Sequence, residues 1–506
     1  MRTLKSVKNI VFALLSNVVN IILGIVIQSI FLKTLGEEYL GLNTILTSIL
    51  SMLSIAELGI SSAIIYNLYK PVAEQNIPKI MSLMKFYKKC YTIIICVMLL
   101  IGLMIVPFLT SIIGETNNID NLYLLYGLFL ADVIFSYIIA YKRSIIYVNQ
   151  KEYIINAVHL AYLIFMNTLQ IIFLFATKNY LTFLIIKLLS RILENIVISY
   201  IANKLYPFIK EKNVEELEKE TKSDIIKNIK ALFFHKIAGF VVSSTDTILI
   251  SVYFGGLVTV AYYSNYNLVL VAATAILNQF LLSVTPSIGN LLTEENKEKN
   301  YSVYKRLNLL NFSIFIIGSA GILCGMEPFI TIFFGEKYIL STFILISLIV
   351  KFFIQGMRRT IMSFKEAAGI YYVDRFIPIW ESVLNLVASI VLLKFFGLAG
   401  VFLGTAVSSL LLLLYSYPKY VYRPLFDKKY IDYYKEFFGY IIYAIIILGV
   451  TYFINEFINV GNVYLQMFLS ILIAIIVPVI IIIIIFNKKE EFKYYIELLK
   501  GLKKNN

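Results

Sequence analysis

The stretch Pro107-Phe108-Leu109-Thr110-Ser111-Ile112-Ile113-Gly114-Glu115 returns 221 residues later as Pro328-Phe329-Ile330-Thr331-Ile332-Phe333-Phe334-Gly335-Glu336. The Pro, Thr, Gly and Glu identities carry this match, because agreement among Ile, Leu and Phe means little in an apolar chain. Three further pairs keep nearly the same offset: Lys8-Asn9-Ile10 with Lys227-Asn228-Ile229, Gly36 with Gly255, and Lys142-Arg143-Ser144-Ile145 with Arg358-Arg359-Thr360-Ile361. The chain therefore reads as two copies of one unit.

What lies between the matches is made for lipid. Of 506 residues 59% are apolar and 15% charged, with a mean hydropathy of +0.81, whereas soluble domains carry about 25% charged residues. One core cannot hide that much apolar surface, since cores stop growing at about 250–300 residues. A span needs about 20 mostly apolar residues, and fourteen stretches qualify: 10–32, 40–66, 90–113, 121–141, 154–176, 180–204, 231–254, 257–285, 307–333, 339–357, 376–396, 398–417, 436–457 and 463–486. The predicted fold class is all-α, a polytopic membrane protein. Residues 1–204 hold spans 1–6, 205–230 form a charged linker, 231–420 hold spans 7–12, 421–486 add two spans, and 487–506 form an amphipathic tail. Six is even, so each copy starts and ends on one side of the membrane. The copies are then parallel repeats, an arrangement that suits a transporter.

With the N-terminus inside, 37 of the 45 Lys and Arg fall on inside segments. Only Lys33, Lys178, Lys337 and Lys394 fall outside, and Lys187, Arg191, Lys236 and Lys351 lie within spans. This asymmetry places both termini in the cytoplasm, so the net charge of +14 reports topology and no nucleic-acid partner is expected. The first span is longer than a signal-peptide core and lacks an A-x-A exit, so it is read as retained. Outside loops are too short for an external catalytic domain. Ile77, Ile80, Met84 and Tyr87 among lysines, and Phe492, Ile496 and Leu499 in the tail, have the spacing of helices lying flat against membrane lipids. Cys90, Cys96, Cys324, His159 and His235 are too few and too scattered for a zinc site or a disulfide framework. No Gly-Lys dipeptide exists, hence no Walker A loop. No cofactor is expected.

An ionisable group deep in a span costs at least about 2.5–3.5 kcal/mol, so it should face a cavity or a partner. Lys187, Arg191 and Glu194 stand at i, i+4 and i+7 in span 6 and share one stripe of a helix. Lys187 and Arg191 suit a diphosphate, Arg as a planar fork and Lys as a point charge. Equally, Glu194 could simply neutralise Arg191. Lys351 and Gln355 repeat the i, i+4 pattern in span 10, with snorkelling toward Arg358 as the competing reading. Asp132 in span 4, Asp246 in span 7 and Glu57 in span 2 are the acids expected to partner such cations. Tyr262, Tyr263 and Tyr266 read as an interfacial belt, and Gly400, Gly404, Gly318 and Gly321 as close helix contacts.

Two six-span copies, a charged linker, a trailing pair of spans, Leu35-Gly36, Tyr39-Leu40-Gly41-Leu42 and Ala56-Glu57-Leu58-Gly59-Ile60 together resemble the polysaccharide-exporter branch of the multidrug/oligosaccharidyl-lipid/polysaccharide (MOP) superfamily. Within it the chain looks like flippases of the Wzx type. The resemblance implies a transporter, not an enzyme, of the bacterial cytoplasmic membrane. Its implied substrate is an undecaprenyl-diphosphate-linked oligosaccharide, turned from inner to outer leaflet for O-antigen or capsule, with glycan polymerase machinery as partner. It also implies Na+ or H+ as a coupling ion, bound by an acid on span 7 and polar groups on spans 11 and 12. The residues of matching type are Asp246, Glu381, Asn385 and Thr405, although Glu381 stands nearer the cytoplasmic end than the family's acid. A lipid II flippase, a MATE-type drug/cation antiporter and a polytopic glycan polymerase or ligase are the alternatives. The central cations argue against organic cations as cargo.

Overall fold

Long apolar runs leave the helix as the one open structure that satisfies its own backbone in lipid. The computed structural model is accordingly helical. It describes all residues except 1, 58–59, 115–118, 212–214, 255, 293, 295, 371–372, 459 and 505–506. For 2–11, 13–14, 55–56, 61–63, 220, 224, 227–228, 230–243, 280–283, 286 and 499–504 it describes backbone alone. The side chain of Lys236 and the residues Leu58, Gly59, Glu115 and Gly255 thus lie outside the described set.

Internal contacts divide the chain into two units, Met1–Ser264 and Asn265–Asn506. The first holds α1 (Arg2–Leu35), α2 (Glu37–Leu53), α3 (Ile60–Ala73), α4 (Ile77–Ile105), α5 (Leu109–Ile113), α6 (Leu122–Ile138), α7 (Ala140–Val148), α8 (Glu152–Thr177), α9 (Tyr180–Leu205), α10 (Lys219–Phe254) and the start of α11 (Leu257–Leu292). The second holds the rest of α11, then α12 (Lys297–Phe333), α13 (Thr342–Met357), α14 (Arg359–Ala367), α15 (Ile377–Phe396), α16 (Leu398–Leu411), α17 (Arg423–Phe426), α18 (Tyr430–Glu456), α19 (Val463–Phe486) and α20 (Glu490–Lys504). Among the described residues all fourteen predicted stretches fall mainly on helix, the second carrying a 3-10 turn at Ser54–Glu57 after α2. Ten helices among the described residues are long and apolar enough to cross a membrane. The α9 helix stays off that ten because Lys187, Arg191 and Glu194 crowd its middle.

The sequence repeat marks positions with fixed mechanical duties. Gly114 closes α5 with φ +80° and Gly335 follows α12 with φ +116°, a region that residues with a Cβ rarely adopt. Their N–H groups return to the carbonyls of Thr110 and Ile330, both at 2.9 Å. The basic pairs of the repeat serve as ties. Lys142 Nζ donates to Ser199 Oγ on α9 at 2.5 Å, and Arg358 Nη1 donates to Ser409 Oγ on α16 at 3.1 Å. In each unit, then, the first basic residue of the pair grips a serine on a later span.

Within the first unit α1 packs on α8, α8 and α6 on α9, α4 on α6, and α10 on α2. Tyr126 on α6 donates to the Gly102 carbonyl of α4 at 2.8 Å. The linker is held to α4 where Lys79 Nζ meets Glu218 at 3.0 Å and Ser82 Oγ donates to the Glu215 carbonyl at 2.9 Å. Hydrogen bonds from Lys79 and Thr221 hold the Glu218 carboxyl below its ordinary range. In the second unit α15 packs on α16, α13 on α16, and α12 on α13, α18 and α19. The tail helix α20 docks on α12 through Lys305 with Glu491 and through Tyr495, whose hydroxyl donates to the Arg306 carbonyl at 3.0 Å.

Three expectations are corrected here. The Ile77–Tyr87 segment does not lie flat as a separate helix: it is the continuous first part of α4, with Ile80, Met84 and Tyr87 buried by packing. Tyr263 and Tyr266 form no belt, being buried at 2% and 1% exposure, and the Tyr266 hydroxyl accepts the Leu340 N–H at 2.8 Å. Gly321 makes no close contact, since a Cβ there would meet nothing within 4 Å.

Gly400 and Gly404 do mark a close approach. A Cβ at Gly400 would sit 2.2 Å from the Leu392 carbonyl oxygen, and one at Gly404 2.4 Å from the Ser389 backbone. Neither backbone can yield as a side-chain tip would. Gly400→Val should therefore lower stability by about 1–3 kcal/mol, read as a fall in the thermal unfolding midpoint of the purified protein. Gly321→Ala, facing open space, should leave that midpoint unchanged.

Candidate anion-binding site

Four helices of the first unit deliver charge to one place. Asn179 caps α9, its side chain accepting the N–H groups of Leu181 and Thr182 at 2.8 and 3.3 Å, and so starts the helix whose one stripe carries Lys187, Arg191 and Glu194. Asn195 then donates to the Phe135 carbonyl at 2.6 Å, holding α9 against α6, which brings Asp132. The short helix α7 brings Arg143, and α8 brings His159 and Tyr162.

The contacts form a continuous chain. Lys187 Nζ lies 3.3 Å from Asp132 Oδ2, and Arg191 Nε donates to Asp132 Oδ1 at 3.3 Å. Arg191 Nη1 donates to Glu194 Oε2 at 2.7 Å. The other oxygen of Glu194 faces His159 Nδ1 at 3.1 Å and Arg143 Nη2 at 3.2 Å. Lys187 also lies over the Phe129 ring at 4.6 Å and Arg191 over the Tyr162 ring at 4.7 Å, where the ring faces attract a cation.

Burial is sorted by sign. Glu194 and Asp132 show 0% and 9% of their side chains, whereas Lys187 and Arg143 each show 26% and His159 shows 38%. Lys187, Arg191 and Arg143, with His159 beside them, thus converge on two more deeply buried carboxylates. The lysine and the two arginines outnumber the carboxylates by one, and the more open edge is basic. Such an edge is chemically suited to an anion.

The sequence-predicted residues are brought together only in part. Lys187, Arg191, Glu194 and Asp132 form the cluster. Glu57 instead accepts a hydrogen bond from the Tyr91 hydroxyl at 3.2 Å. Lys351 belongs to the second unit and lies over the Phe402 ring at 5.7 Å, with Gln355 one turn on. Of the residues proposed for a coupling ion, Asp246 is buried on α10 in the first unit. The other three belong to the second. There Asn385 donates to Thr405 Oγ1 at 3.0 Å, while both oxygens of Glu381 are engaged by the Arg358 fork. No group of three His, Cys, Asp or Glu able to hold a metal ion occurs among the described residues.

Sequence reading missed Arg143 and His159. Arg143 stood in the repeat as a loop-end basic residue, and its convergence on Glu194 depends on how α7 folds back. His159 was set aside as solitary, yet a histidine just inside a span was itself a signal.

Removing Asp132 should leave Lys187 and Arg191 short of a counter-charge. Asp132→Ala should destabilise the protein by about 3–5 kcal/mol, and adding Lys187→Met should restore part of the loss. Thermal unfolding of the two variants measures both effects.

No protein-family model matches the sequence, and no curated protein matches it. Solved structures do match the fold. A structure of the lipid II flippase MurJ in an inward closed conformation superposes with a TM-score of 0.69 at 18% identity, covering 94% of this chain and 99% of that one. An inward-facing MATE-family multidrug resistance transporter of the MOP superfamily gives 0.61 at 14% identity over 78% of this chain and 91% of its own. A mutant of the Vibrio cholerae MATE transporter VcmN gives 0.57 at 12% identity over 81% and 94%. The chain thus shares its all-helical fold with these solved flippase and transporter structures.

Proposed function

We propose that the protein is a flippase. In this reading it turns an undecaprenyl-diphosphate-linked oligosaccharide from the inner to the outer leaflet of a bacterial cytoplasmic membrane, by alternating access, for O-antigen or capsule. A hydrated sugar head cannot cross about 30 Å of hydrocarbon unaided, so a polar, positively charged path must be supplied. The carrying observation is the cationic excess at Lys187, Arg191 and Arg143 over Asp132 and Glu194, which favours an anionic headgroup over an organic cation. The drive is a gradient of H+ or Na+ or the membrane potential, and glycan polymerase machinery receives the product. The lipid II flippase reading is the second, favoured by the greater share of this chain that matches MurJ than matches the MATE transporters.

Deleting the gene should make one lipid-linked intermediate accumulate on the inner leaflet. A diphosphate-linked repeat unit supports the first reading and lipid II the second, while unchanged export of every surface glycan would contradict both. Arg191→Ala should reduce export without loss of folded protein; wild-type export by that variant would return Arg191 to a structural role.

A further inference from the structure

The cluster contains an arginine two of whose buried nitrogens make no hydrogen bond. Lys187 and Arg191 are paired with Asp132, and Arg191 also donates to Glu194. Arg143 differs. Its Nη2 approaches Glu194 at 3.2 Å, yet neither Nε nor Nη2 makes a hydrogen bond, although both atoms are buried. A guanidinium offers five N–H donors in a rigid fork, and buried donors without an acceptor are rare in folded proteins. The acceptor that Arg143 faces is also shared, since Glu194 Oε1 lies 3.1 Å from His159.

We propose that Arg143 is a direct ligand of the anionic headgroup, with Glu194 as its resting counter-ion. This rests on the flippase reading and deepens it. The ligand class is a diphosphate, whose oxygens match a planar fork two at a time. Glu194 occupies the place that a phosphate oxygen takes when cargo is bound. It can release Arg143 without being stranded, because Arg191 and His159 remain within hydrogen-bonding distance of it. The carboxylate thereby sets the affinity of the empty site: it keeps three cations from repelling one another and competes with the cargo for the same arginine. Arg143 also stands beside Lys142, whose tie to Ser199 on α9 holds the start of α7 in position.

The test is calorimetric binding of inorganic pyrophosphate, and separately farnesyl diphosphate, to the full-length protein in detergent. Wild type should bind both. Glu194→Gln, which keeps the shape and removes the charge, should bind pyrophosphate several-fold more tightly. Arg143→Ala should bind it about tenfold or more weakly, in line with the loss of charge-assisted hydrogen bonds. Arg143→Lys, which keeps the charge and removes the fork, should fall between them. If Arg143→Ala and Arg143→Lys bind as wild type does while Lys187→Ala binds more weakly, the assignment of Arg143 is wrong and the flippase reading stands. If neither wild type nor Glu194→Gln binds either probe, the anion site itself is wrong, and the reading it carries falls with it. Binding of farnesyl diphosphate without pyrophosphate would mean the prenyl chain is recognised instead, and would also overturn the role of Arg143.

Discussion

A charge cannot rest at bilayer depth without a partner, and this constraint organises the first unit. Asp132 and Glu194 are buried because three basic side chains surround them, and those side chains are tolerated inside the span because the acids are there. Neither set would be stable alone. The tally is unequal, however. An equal number of acids would give an inert clamp, whereas here the lysine and two arginines outnumber the carboxylates by one and are the more exposed.

Each repeat meets a separate requirement, which is to end and re-enter helices at fixed points. Glycine at positive φ ends the helix, and the basic residue two segments on grips a serine on a later span. These are backbone and hydrogen-bond duties that few side chains can perform, so they stay visible after the apolar residues between them have diverged. The proline at the head of the repeat shows what is allowed to differ. Pro107 falls in a 3-10 turn that separates α4 from α5, whereas Pro328 sits inside an unbroken α12.

Much of the fold was legible in the sequence because lipid imposes a single-letter rule: stretches of about 20 apolar residues become helices. Among the described residues all fourteen stretches fell mainly on helix. The stripe of Lys187, Arg191 and Glu194 was equally legible, since helical period alone places them on one face. What could not be read was convergence between helices. Arg143 lies 51 residues before Glu194 and His159 lies 35 before it, and nothing local says that they meet. Burial of Tyr263 and Tyr266 escaped for the same reason, as position along a helix gives depth but not the face a neighbour covers. The lysines around Ile77–Tyr87 looked like a membrane-surface helix because amphipathicity cannot distinguish a lipid surface from a protein one.

If the basic side chains of the first unit carry an anionic lipid head between leaflets, transfer should be visible in vesicles. These would contain the purified protein and an undecaprenyl-diphosphate oligosaccharide confined to one leaflet, with glycosidase added on the opposite side. The sugar should be cleaved at a protein-dependent rate that collapses when Lys187 and Arg191 are both replaced by alanine in a folded variant. Sugar that stays protected at the protein-free rate, or crosses equally fast without those two side chains, would contradict that role.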